Sequence, residues 1–165
     1  MPLTRIPSGA MVFVDANILT YYFLEVHPFI EACDAFFDRV VNREIRAFTS
    51  ADVAADVIHR VMVGEAIAQF GLESRKAVSY LKAHPDVVKQ LQHYKAIPGE
   101  FTHARIRILD VTYRELHNSK RYRSEYGLLT RDSIILAVME RHKLIHLVTN
   151  DRDFEQVPGI RVWLP

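Results

Sequence analysis

Four apolar residues, Met11-Val-Phe-Val14, run directly into the polar break Asp15-Ala-Asn17. A run this short and β-prone, with no polar interruption, suits a strand buried on both faces, as in a parallel sheet covered by helices. The break then marks the carboxyl end of the strand, the edge outside which open α/β sheets bind their ligands. Ile45–Phe48, Arg105–Leu109 and Leu144–Val148 read as further strands, and Pro158-Gly159 turns the chain into a last one, Ile160–Trp163. Helical patterns fill the intervals: Ile18–Phe23, Phe29–Val41, Ala51–Phe70, Glu73–Lys82, Asp86–Ala96, Tyr113–Arg123 and a stretch capped by Thr130. Thr49-Ser50 offers an N-cap to the long helix from Ala51, and Gly71 its stop. Helices alternating with short buried strands give an α/β domain with a parallel central sheet, and right-handed crossovers place helices on both of its faces.

The remaining bulk properties narrow the class. A chain of 165 residues suits one domain, here residues 11–165 behind a short leader, residues 1–10. Cys33 is the only cysteine, which excludes an intrachain disulfide and a Cys-rich zinc site and fits a reducing, cytoplasmic setting. No histidine pair stands at zinc-ligand spacing. No apolar run approaches the roughly 18–20 residues of a membrane span, so no membrane partner is expected. The formal net charge of +1 supplies no strong global field, so a nucleic acid would have to be drawn by local patches.

Four aspartates occupy special positions in this scheme. Asp15 follows the first strand, Asp56 lies in the helix after the second, Asp132 sits in the first turn of a later helix, and Asp151 follows the fourth strand. Strand ends and helix starts of a parallel sheet share one edge, so the four can converge. Each also has an ordinary explanation: a strand break, an exposed helix acid, an acid at a helix N-terminus, a turn residue. Their joint arrangement carries the argument. Packed carboxylates repel one another, and a divalent cation resolves that conflict. Oxygen-only ligands select a hard ion, Mg²⁺ or Mn²⁺, which can polarise a phosphate and stabilise a leaving oxygen.

At these residues the chain resembles the PIN-domain family. Three segments match in order: Val12-Phe-Val-Asp15-Ala-Asn17-Ile-Leu19, Leu128-Leu-Thr-Arg-Asp132-Ser-Ile-Ile-Leu-Ala137, and Leu147-Val-Thr149-Asn-Asp151-Arg-Asp153-Phe154. The resemblance implies a five-stranded parallel sheet between helices and a Mg²⁺- or Mn²⁺-dependent endoribonuclease. Small single-domain members look like the VapC toxins, which form homodimers and are blocked by a small antitoxin whose tail enters the acidic site. Carried over by position, Asp15 and Asp132 are the principal metal ligands and Asp151 completes the cluster. Asn17 and Thr149 orient ligands or waters, with Asp153 a secondary candidate. One position departs from the family pattern: Asp56 stands where a glutamate is usual after Thr-Ser, one methylene shorter, with Asp52 and Glu65 as alternative acids.

Candidate RNA contacts are Arg131 and Arg152, which flank the acids in sequence, and Arg121 with Tyr122, a basic and aromatic pair suited to phosphates and bases. A solvated helix face is the plainer reading of the last two. Two rival functions stand beside the nuclease. A haloacid-dehalogenase-like phosphatase would use Asp15 as nucleophile, but Asn17 removes the second aspartate that chemistry needs. A PIN-like module that holds RNA or protein without cutting is the other.

Overall fold

The computed structural model describes residues 1–165. Five strands, β1 (Met11–Val14), β2 (Arg46–Ser50), β3 (Arg107–Leu109), β4 (His146–Val148) and β5 (Arg161–Trp163), form one sheet in the order β3-β2-β1-β4-β5. Every pairing is parallel. Nine helices surround it: α1 (Ala16–Phe23), α2 (Ile30–Val41), α3 (Ala51–Phe70), α4 (Ser74–Ala83), α5 (Pro85–Gln90), α6 (His93–His103), α7 (Tyr113–Asn118), α8 (Lys120–Tyr126) and α9 (Thr130–Arg141). The expected α/β architecture with a five-stranded parallel sheet is the one observed. No helix is long and apolar enough to cross a membrane.

The central strand explains the sequence signal. Val12, Phe13 and Val14 are fully buried, because β1 has β2 on one side, β4 on the other, and side chains packed on both faces. α3 spans the expected residues and ends where expected: Gly71 takes the left-handed conformation at φ 64° that closes a helix and suits glycine. Ser50 is the N-cap residue of α3, yet its hydroxyl donates to Asp52 at 2.5 Å instead of capping the backbone. The Thr49 hydroxyl donates to the Val14 carbonyl and fastens β2 to β1.

Three helical expectations need correction. The stretch Asp86–Ala96 is not one helix. It breaks at Leu91, whose extended backbone turns a fully buried side chain into a small satellite cluster with Ala66, Leu81 and Val87. α6 then starts at His93 and continues through Pro98 to His103. Tyr113–Arg123 divides into α7 and α8 at the buried Ser119, whose hydroxyl donates to the Leu116 carbonyl and accepts from Arg123. Leu129, not Thr130, is the N-cap of α9, and no side chain caps it.

Residues 2–6 pack on the sheet's far edge. Pro2 bridges to Leu164, and Leu3 and Ile6 are buried. Arg39 donates to the Ile6 carbonyl from α2.

A candidate metal centre at the carboxyl edge of the sheet

β1 lies where the sheet changes direction: the chain leaves it toward β2 and β3 on one side and returns to β4 and β5 on the other. Such a switch point leaves a crevice outside the strand ends. Here it is a cavity of about 130 Å³ lined by Asp15, Asp52, Asp56, Asp132 and Asp151, together with Asn17, Arg60, Arg131 and apolar neighbours. The four aspartates singled out from sequence therefore meet in one place.

Asp15 is fixed most tightly. As the N-cap of α1 it accepts from the Ala16 amide at 2.6 Å. Its other oxygen accepts from Thr149 Oγ1 at 2.7 Å and from Asn17 Nδ2 at 2.8 Å. Asn17 also donates to Thr149 and accepts from the Asn150 amide, so it ties the end of β1 to the loop after β4. Thr149 in turn accepts from the Asp151 amide at 3.0 Å. Burial raises the Asp15 carboxyl above the ordinary carboxylate value; the hydrogen bonds from Thr149 and Ala16 oppose this only in part, and the Asp151 charge adds to it.

Asp132 differs. It projects from the first turn of α9, and no hydrogen bond offsets its burial. Burial first, then the charges of Asp151, Asp15 and Asp153, push its carboxyl up to about 6. Mutual repulsion among these acids is what a cation would relieve. Asp151 accepts from the Asp153 amide at 2.9 Å and is partly exposed. Asp153 does not line the cavity, although its charge reaches Asp132. No three acid, His or Cys side chains stand together as a ready cage. The donor set is nevertheless oxygen-only and short of positive charge, which fits a hard divalent ion.

Asp56 is the exception within the cluster. Arg60 Nε meets one of its oxygens at 2.8 Å and Arg131 Nη1 the other at 2.9 Å. Burial raises its carboxyl, but the two guanidinium groups outweigh that and hold it below the ordinary range. The sequence reading missed Arg60, though its i,i+4 spacing from Asp56 on α3 was a usable signal. Asp52, an alternative to Asp56, does line the cavity. Glu65 does not. It accepts from the amides of Gln92 at 2.6 Å and Tyr94 at 3.2 Å and so caps α6.

Of the candidate RNA contacts, Arg131 stands at the cavity and Arg152 is exposed on the one-turn helix after Asp151. Arg121 and Tyr122 are elsewhere. Arg121 lies over the Tyr122 ring, 4.6 Å from its centre, and pairs with Glu140, two turns along α9 from Asp132.

Residues 12–160 match the family described as PIN domain. The chain belongs to the PIN domain family. Within it, the chain is 26% identical to VapC ribonuclease Mb1869c of Mycobacterium bovis over 154 residues, 92% of this chain and 98% of that protein. Among solved structures it resembles the toxin-antitoxin complex from Klebsiella pneumoniae, with a TM-score of 0.52, 22% identity, and 91% of this chain and 95% of that one covered. It also resembles VapC20 of Mycobacterium tuberculosis, a toxin that cleaves the sarcin-ricin loop, with a TM-score of 0.57, 14% identity, and 87% and 92% covered. The two structural likenesses bear on the fold. Membership of the PIN family, and the likeness to a VapC ribonuclease, are as the sequence motifs implied.

Proposed function

We propose that this PIN domain is a metal-dependent endoribonuclease of the VapC type, hydrolysing RNA phosphodiester bonds at the aspartate cavity. The observation that carries the proposal is that Asp15, Asp132 and Asp151 line one cavity, with Asp132 raised by burial and by its acidic neighbours and held by no hydrogen bond. Asp15, Asp132 and Asp151 would hold Mg²⁺ or Mn²⁺, which supplies the positive charge and Lewis acidity that phosphodiester hydrolysis needs. Thr149 and Asn17 keep the Asp15 carboxylate in one orientation, so only Asp132 and Asp151 have to adjust on binding. Arg131, more than half exposed, keeps guanidinium donors free for a phosphate beside its contact to Asp56. The likeness to a toxin-antitoxin complex supports a small antitoxin as protein partner, and the family resemblance a homodimer.

A second reading has one observation in its favour. Asp56 is already neutralised by two arginines, as befits a PIN module that holds RNA without cutting it. The two readings separate on one experiment: cleavage of a structured RNA pool with Mg²⁺ or Mn²⁺ against EDTA, using the parent and the Asp15→Asn and Asp132→Asn variants. Cleavage that needs the metal and both aspartates is expected. Absence of cleavage together with absence of Mn²⁺ binding would overturn the nuclease.

A further inference from the structure

At the opposite edge of the sheet, where strands begin, a groove of about 400 Å³ is lined by Arg43, Arg46, Arg105 and Arg107 with Val40, Ile45 and Ala47 at its floor. All four arginines are exposed, and none forms an ion pair or a side-chain hydrogen bond within the chain. Arg114 and Arg152 are unpaired as well, but this groove gathers four such arginines. Arg60 and Arg131 at the aspartate cavity are paired with Asp56, and Arg121 and Arg141 beside α9 are paired with Glu140 and with Asp110 and Glu115. The aspartate cavity, the clefts beside α1 and the cleft under Arg121 each contain carboxylates, whereas the arginine groove contains none. In a chain of net charge +1, four unpaired guanidinium groups on one concavity are a large local excess.

Two adjacent chain segments build the groove in the same way. α2 and α6 each end, then Arg43 and Arg105 take left-handed backbone at φ 64° and 55°. A buried isoleucine follows, Ile45 or Ile106, and after it the arginine that begins β2 or β3. The buried isoleucines fix the backbone, and strand alternation turns Arg46 and Arg107 away from the core. Complementing a helix C-terminus would account for Arg43 and Arg105. It does not account for Arg46 and Arg107, which start neighbouring strands.

We infer that this groove is a second RNA-binding site, gripping the phosphodiester backbone of the substrate at a distance from the aspartate cavity. The inference rests on the RNA substrate proposed above. Guanidinium groups match phosphate oxygens in paired hydrogen bonds, and an open polyanion is what an acid-free arginine groove can hold without displacing an internal partner. The aspartate edge, negative without its cation, repels phosphates; the arginine edge supplies the attraction that the net charge lacks. β2 is five residues long, which sets the two edges on the order of 15 Å apart, so a single strand of several nucleotides can reach both.

The test is binding of a fluorescein-labelled single-stranded RNA 20-mer, followed by anisotropy in EDTA from 50 to 300 mM KCl. The proteins compared are the parent, Arg46→Ala/Arg107→Ala, and a control with equal charge loss, Lys82→Ala/Lys89→Ala. DNA of the same sequence and inorganic phosphate run alongside. Expected are a tenfold or larger loss of RNA affinity at 100 mM salt for the arginine variant only, and a salt slope smaller by about 1.4. Loss for both variants alike, or for neither, would overturn the inference, as would displacement of bound RNA by inorganic phosphate at low millimolar concentration, the mark of a site for a single phosphate. Metal-dependent cleavage of a trinucleotide, too short to reach both edges, is measured in parallel. Its persistence in the arginine variant with RNA affinity unchanged would sink the second site and leave the nuclease standing.

Discussion

Among the five aspartates that line the cavity, three differ plainly in what each touches. Asp15 is held by three donors, Asp56 by two guanidinium groups, and Asp132 by none. For Asp132 the folded pKa, about 6, stands above the ordinary 3.8, so its contribution to stability is fully present below pH 4 and is lost as the pH rises through 6. The full shift corresponds to about 3 kcal/mol, and solvent screening of this partly exposed group reduces it to about 1–2 kcal/mol. In EDTA at pH 7.5, Asp132→Asn should therefore be more stable than the parent by that amount, and the difference should vanish near pH 4. Urea unfolding at the two pH values checks it; a variant less stable at pH 7.5 would mean the acids do not repel. Added Mn²⁺ should reverse the order at pH 7.5, because it binds the folded parent. Asp56 gives a contrasting expectation. With its charge already met, Asp56→Asn should weaken Mn²⁺ binding by about tenfold, as changes to supporting groups do, and Asp132→Asn by much more. Calorimetric titration of both variants with Mn²⁺ ranks them, and equal losses would put Asp56 among the ligands.

At the scale of elements, what is legible in the sequence depends on where the deciding contacts lie. β1 and the loop after β4 are legible because the signal is local: an apolar run cut off by an acid. α3 is legible from the helical run that starts after Thr49-Ser50 and from the glycine that stops it. The break between α5 and α6 is not, because it is made by partners distant in sequence. Leu91 leaves the helical path to fill a small cluster, and Glu65, far back on α3, supplies the carboxylate that receives the amides of Gln92 and Tyr94. Backbone amides from that helix start hold the Glu65 carboxyl below its usual value despite the opposing effect of burial. Read without the fold, Glu65 is only an acid in the right helix. Glu65→Ala should cost about 1–2 kcal/mol in urea unfolding, the worth of a charged helix cap, and leave Mn²⁺ binding unchanged. Loss of metal binding with stability intact would return Glu65 to the site. The pairing of Asp56 with Arg131 was hidden for the same reason, since α3 and α9 meet only in the folded chain, whereas Arg60 stood one helical turn away.

For the whole molecule, the strand order β3-β2-β1-β4-β5 puts the most buried strand at the switch point and Asp15 at its end. The motifs could place the acids at one edge of a parallel sheet, but the order in which strands pair is a property of all five together. So is the role of the first residues. Leu3 and Ile6 are only 3% and 2% exposed and join the main core; the Leu3 amide donates to Leu164, and Arg39 reaches the Ile6 carbonyl. Burying two such side chains is worth about 1.5–3 kcal/mol each, an upper estimate given that unfolded chains already bury some surface. Deleting residues 2–7 should thus lower unfolding stability by about 3–5 kcal/mol. It should also leave Mn²⁺ affinity intact in the fraction that stays folded, because the segment packs beside β5 and α2 and touches none of the aspartates. Urea unfolding with a Mn²⁺ titration below the transition measures both quantities. A truncated chain within 0.5 kcal/mol of the parent would make these residues a dispensable leader, while a stable one that no longer binds Mn²⁺ would mean that the far edge of the sheet acts on the site itself.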